Sequence, residues 1–221
     1  MAVIWDKLYP YAQPYVPGCP EVVIKAHLQE AAAEFCAKSE IWRYNLEPSY
    51  TSKNTSDYEL DVPNRAVLEN IMVLTLDGVP LTHVSERHFI PATLVNGSAV
   101  TGTPTHFSVF EDASIRMYPT PITKHTFTGV LVVKPSLAAK GIEDFIFESH
   151  GRSIAAGAIA RIAGIPNKEW SNPEVAISNQ IEFERAMCAA KGRDTRRVNM
   201  RVASVKRLKS KMKHLKRKSV M

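Results

Sequence analysis

The sequence predicts an α+β protein: an antiparallel helical bundle with an inserted β-rich lobe and a C-terminal basic amphipathic helix. Three observations predict it. Apolar residues recur at helical spacing before residue 42 and again between 136 and 190. The stretch between them is rich in β-branched residues and punctuated by turn signals. Thirteen Lys/Arg against one acid, Asp194, crowd residues 191–221 and give that segment about +12, whereas the whole chain carries a formal +6. The body is therefore mildly acidic and the end strongly basic. These shifts divide the chain into a helical domain (1–42 and 136–190), an inserted β-rich domain (43–135) and a basic docking segment (191–221).

Each element has a local reason. Trp5, Leu8, Tyr9, Tyr11 and Tyr15 are interrupted by Pro10, Pro14 and Pro17, which forbid a long helix and leave short turns and an aromatic arm. Gly18-Cys19-Pro20-Glu21 opens a helix, with proline at its start and an acid in its first turn. The apolar series Ile24, Leu28, Ala31, Ala32, Phe35, Cys36 carries it to about Ser39.

Beyond Arg43 the period changes. Tyr58 to Val62 alternates as a strand, and Val67 to Leu76 reads as a buried strand. Leu76-Asp77-Gly78-Val79 is a tight-turn signal that starts a return strand at Pro80, and Asn96-Gly97 is a second turn. Residues 107–110 and 115–118 form a hairpin around Glu111-Asp112-Ala113, and Thr126 to Lys134 is a last strand before Pro135. Five or six strands are expected. Helical patterning returns from Ile142 to Gly164, with a small face at Gly157 and Ala160 and Gly164 as the cap. Asn172-Pro173-Glu174 opens another helix, with its apolar stripe at Ala176, Ile177, Ile181, Phe183, Met187 and Ala190.

The chemistry expected of an enzyme is missing from the pattern. The sequence holds no GxxxxGK[ST], no GxGxxG between strand and helix, no GxSxG and no HExxH. Its seven histidines are scattered, which predicts neither a metal site nor a cofactor. Glu111-Asp112 and Glu143-Asp144 are explained by a turn and by a helix start. Cys36 and Cys188 fall on helical apolar positions and read as buried free thiols, with no disulfide framework. No apolar run reaches membrane-spanning length and the N-terminus lacks a signal-peptide pattern, so a cytoplasmic origin is expected.

The basic segment is the sharpest feature. Arg196, Arg197, Arg201, Lys206 and Lys209 accompany Val202, Val205, Leu208, Met212 and Leu215, and these apolar residues, with Val198, recur every three or four positions. A solvated charged tail has no need of such a stripe, so these ten residues are the predicted docking site. A groove on an acidic protein fits both stripe and charge. Nucleic acid would use the charge alone. A membrane surface ranks last, because the stripe lacks Trp and Phe.

Five blocks in order carry a resemblance. They are Val16-Pro17-Gly18-Cys19-Pro20 with Ala33-Glu34-Phe35-Cys36 and Trp42; Leu76-Asp77-Gly78-Val79-Pro80-Leu81; Gly102-Thr103-Pro104-Thr105-His106-Phe107 with Ile115 to Pro121; Ala156 to Ile162; and Pro166 to Pro173. Over about residues 5–190 the chain resembles the head–tail adaptors of tailed bacteriophages, the group that includes tail tubular protein A of short-tailed phages. The resemblance implies a structural virion protein and no enzyme. It implies a ring, commonly of twelve copies, beneath the portal protein. The ring would extend the DNA channel without sequence-specific binding and present a platform for the tail nozzle or tube. It also implies a C-terminal segment that attaches to the portal. The alternative reading is a nucleic-acid-binding protein that grips DNA with residues 191–221.

Overall fold

The computed structural model describes residues 2–85, 94–95, 98–110 and 113–192. The chain opens with a short strand, β1 (Ala2–Ile4), then a 3-10 turn at Trp5–Lys7, α1 (Tyr9–Ala12) and a second 3-10 turn at Gln13–Tyr15. Pro10 and Pro14 sit at the starts of the last two, where an absent N–H costs no helical bond. Next is α2 (Glu21–Ser39). The Pro20 carbonyl accepts from the amides of Val23 and Ile24 at 3.0 and 3.2 Å. At the other end Glu40 takes a left-handed conformation, φ 56°, and its amide donates to the Cys36 carbonyl at 3.0 Å. The expected stripe from Ile24 to Cys36 is fully buried.

Between α2 and the next long helix the strands are β2 (Arg43–Tyr50), β3 (Asp57–Glu59), β4 (Ala66–Leu76), β5 (Val79–Pro80), β6 (Thr82–His83), β7 (Leu94–Val95), β8 (Ser98–Ala99), β9 (Thr101–Gly102), β10 (His106–Val109), β11 (Ser114–Tyr118), β12 (Thr120–Pro121), β13 (Thr126–Pro135) and β14 (Gly141–Glu143). They form a main sheet in the order β2-β13-β4-β5, a second sheet in the order β3-β11-β10-β6, and two-stranded pairs β1-β14, β9-β12 and β7-β8. The β4–β5 turn falls at Asp77-Gly78, both at positive φ (48° and 82°), as a two-residue hairpin turn requires. Strands β7 and β8 pair around positions 96–97, and β10 with β11 as an antiparallel hairpin. The extra strands, against five or six expected, are mostly two residues long. A segment that short carries no periodicity to read.

Two sequence expectations need correction. Strand β4 is not buried along its length: Leu74 and Leu76 are, whereas Val67, Met72 and Val73 are exposed. Register shifts in the β4–β13 pairing skip Met72 and Glu69. Each extra residue inverts the alternation, so the apolar run does not keep to one face. Ile142 does not begin a helix. It sits in β14 opposite Val3, and α3 spans Asp144–Ala163.

α3 packs on α2, and α2 also lies over β13. The hydrophobic core is consequently continuous from Trp5 through Phe127, Leu131 and Val133 to Ala190. Gly164 ends α3 in a right-handed conformation, φ −76°, rather than the left-handed one common to glycine caps. The last described helix, α4, covers 173–192. The Asn172 side-chain oxygen accepts from the Val175 amide at 3.2 Å, which is the expected cap.

Candidate functional site

The ten predicted docking residues, Arg196, Arg197, Arg201, Val202, Val205, Lys206, Leu208, Lys209, Met212 and Leu215, lie outside the described residues. The structure does define the base from which that segment departs. On α4, Phe183, Met187 and Ala190 point inward and are buried. The Phe183 ring packs on Phe35, with centroids 5.9 Å apart. It also fills the space opened by Gly157, where a Cβ would stand 2.7 Å from two ring carbons. The Arg161 guanidinium lies over the same ring at 5.5 Å, donates to the Gly157 carbonyl at 3.0 Å and pairs with Glu34. At the helix end Lys191 Nζ meets Glu40 Oε1 at 3.0 Å. α4 is thus tied to α2 and α3 as far as residue 191. Ile177 and Ile181, assigned to the same stripe from sequence, are instead 63% and 43% exposed.

The thiols divide differently from expectation. Cys36 is buried, and burial pushes its pKa up to about 12. Cys188 is exposed, against its reading as a buried thiol. It directly follows Met187, and one residue turns a side chain about 100° around a helix axis. Cys19 is buried, and burial raises its thiol as well.

One polar arrangement escaped sequence reading. His125 Nδ1 lies 2.7 Å from Asp77 Oδ2, and His125 Nε2 lies 2.9 Å from Thr123 Oγ1. Asp77 Oδ1 also accepts from the Thr126 amide at 2.8 Å. That backbone donor, and secondly His125, hold the Asp77 carboxyl below its ordinary value. Thr51 completes the junction: its hydroxyl accepts from the His125 amide at 2.8 Å and its amide donates to the His125 carbonyl at 2.9 Å. The carboxylate–imidazole–hydroxyl order resembles a charge-relay chain. Here it joins the β4–β5 turn to the start of β13, which accounts for every bond it makes. Asp77 and His125 lie 48 positions apart in sequence, so no local motif announces the arrangement.

Among the described residues no cluster of three or more His, Cys, Asp or Glu could hold a metal ion. His27 bonds its helical neighbour Glu30 at 3.0 Å. Asp144 lies in the first turn of α3, as expected of the pair, whereas Glu143 ends β14 at the N-cap position without a side-chain cap bond. No helix among the described residues is long and apolar enough to cross a membrane.

Two open grooves mark the surface. One, of about 580 Å³, runs beside β4 and is lined by Val62, Leu68, Ile71, Val109 and Phe110. The other, of about 490 Å³, lies between the N-terminal arm and the helices, lined by Pro10, Tyr11, Pro14, Tyr15, Arg152 and Glu182. No protein-family model matches the chain, and no curated protein sequence is similar to it.

Proposed function

We propose that this chain is a structural subunit of a phage head–tail adaptor ring, seated beneath the portal and serving as the platform for the tail nozzle or tube. In this reading the helices form an antiparallel bundle beside the β-rich lobe. DNA passes through the ring without sequence-specific binding, the ring holds twelve copies, and its place is the head–tail junction of the virion. Residues 191–221 form a basic amphipathic helix that docks on the portal. The observation that carries the reading is the order of the five sequence blocks. Their positions support it, because they fall where the fold is set: the start of α2, the β4–β5 turn, strands β9 to β12, the α3 face that receives Phe183, and the α3–α4 connection.

Attachment to portal-bearing heads tests it. Deleting residues from Thr195 onward is expected to abolish attachment, and unchanged attachment removes the docking role. The charge of about +12 favours a second reading, in which residues 191–221 grip DNA. Titration against duplex DNA at several salt concentrations separates the two. Tight binding with a steep salt slope supports the DNA reading, and weak, shallow binding supports the adaptor.

A further inference from the structure

The loop after β13 is held more firmly than an exposed loop requires. The Trp5 indole donates to the Ala139 carbonyl at 2.8 Å. The Gln29 side-chain Nε2 donates to the carbonyls of Ser136 and Leu137 at 2.9 and 2.6 Å. The Ser136 amide donates to the Arg65 carbonyl at 2.9 Å. What these bonds display is Leu137, 90% exposed, with Ile4 at 51%. Beside them is a cleft of about 230 Å³ lined by Ile4, Trp42, Asn64, Arg65, Lys140 and Glu143, together with Ala139 and Gly141. Arg65 and Lys140 are exposed, and neither makes an ion pair among the described residues. Arg65 also holds a left-handed φ of 66°, a conformation that costs free energy in a non-glycine residue. Single exposed leucines are ordinary. A leucine pinned by a hydrogen-bonded loop, beside a cleft whose two cations pair with no acid among the described residues, is a built surface.

A complementary surface lies on α4. Ile177 and Ile181 face away from Phe183, four residues apart on one helix face. Glu174 and Glu184 are exposed on the same side, and from 173 to 184 the helix carries three acids and no base, with Arg185 following. We infer that the Leu137 surface of one copy receives the Ile177–Ile181 face of a second copy. The apolar residues meet at the centre, and Arg65 and Lys140 stand against Glu174 and Glu184. The two patches differ, so the contact is heterologous and repeats from copy to copy until rotation closes it. The inference rests on the ring reading and names the contact between neighbours in it.

Sedimentation velocity of the full chain, over a concentration series at moderate salt, tests it. Leu137→Asp and Ile181→Ser are each expected to weaken self-association on the order of tenfold or more. Arg65→Glu with Lys140→Glu, and separately Glu174→Lys with Glu184→Lys, weaken it similarly. All four charge changes in one chain restore it, because each copy then presents both reversed faces. Circular dichroism melting of every variant checks that the fold is kept; these side chains are exposed, so it should be. If the unaltered chain assembles and the variants assemble equally well, the contact is wrong and the ring reading stands. If each face matters but the combined reversal fails to restore assembly, the two faces do not meet. An unaltered chain that stays monomeric at every concentration also overturns the contact, and attachment to portal-bearing heads then decides the ring reading by itself.

Discussion

Gly157 shows how much one missing methyl group decides. A Cβ there would lie 2.7 Å from Phe183 ring carbons, closer than real contacts allow, so the ring can seat only over glycine. Gly157→Ala is expected to destabilise the protein by about 1–3 kcal/mol, read from urea unfolding. Combining it with Phe183→Leu should recover part of the loss. The cysteines offer a second check. At pH 8 an aromatic disulfide reagent is expected to label Cys188 rapidly, while Cys36 reacts only as the protein unfolds, because burial keeps it protonated. Fast labelling of Cys36 would place it at the surface and contradict the packing of α2. Sequence periodicity placed Cys36 correctly and Cys188 wrongly. Both sit near apolar positions of a helix, and only the packing partner decides which side of the stripe is covered.

The β4–β5 hairpin is where the elements show their coupling. Its turn was legible from Asp77-Gly78, since glycine accepts positive φ without strain. The second duty of Asp77, holding the Thr126 amide and His125, was not legible, because it depends on β13 returning beside β4. The folded-state pKa of Asp77 is lowered. Its stabilising contribution is therefore fully present above the ordinary carboxylate pKa of about 4 and is lost as pH falls from there through the lowered folded-state value. Asp77→Asn should lower the melting temperature at pH 7 and flatten the acid limb of the stability profile, measured by thermal melts from pH 7 to 3. An unchanged acid limb would mean that the junction adds nothing to stability. The same dependence on partners explains the exposed half of β4. An apolar run announces burial only if its strand stays in register, and two bulges break that register.

At the scale of the whole molecule, the proposed docking role can be tested apart from folding. Among the described residues the core cluster ends at Ala190. From Thr195 onward the chain holds eleven Lys/Arg and no acid, so its removal takes the formal net charge from +6 to about −5. The shortened chain is expected to melt within about 2 °C of the full chain, since every core residue among the described residues is kept. A large fall in melting temperature would show that the basic segment packs on the body.

The helices α2 and α4, the hairpin turn at Asp77-Gly78, the long strand β13 and the division of charge between body and C-terminus were all determined by the sequence. Each rests on local periodicity, turn chemistry or a count, which need no knowledge of neighbours. Four things were decided by tertiary structure alone: the pairing of Val3 with Ile142, the seating of Phe183 on Gly157, the Asp77–His125 junction, and the outward turn of Ile177 and Ile181. Each joins residues distant in sequence, or chooses which of two apolar helix faces is covered, and only the packed partner settles that choice.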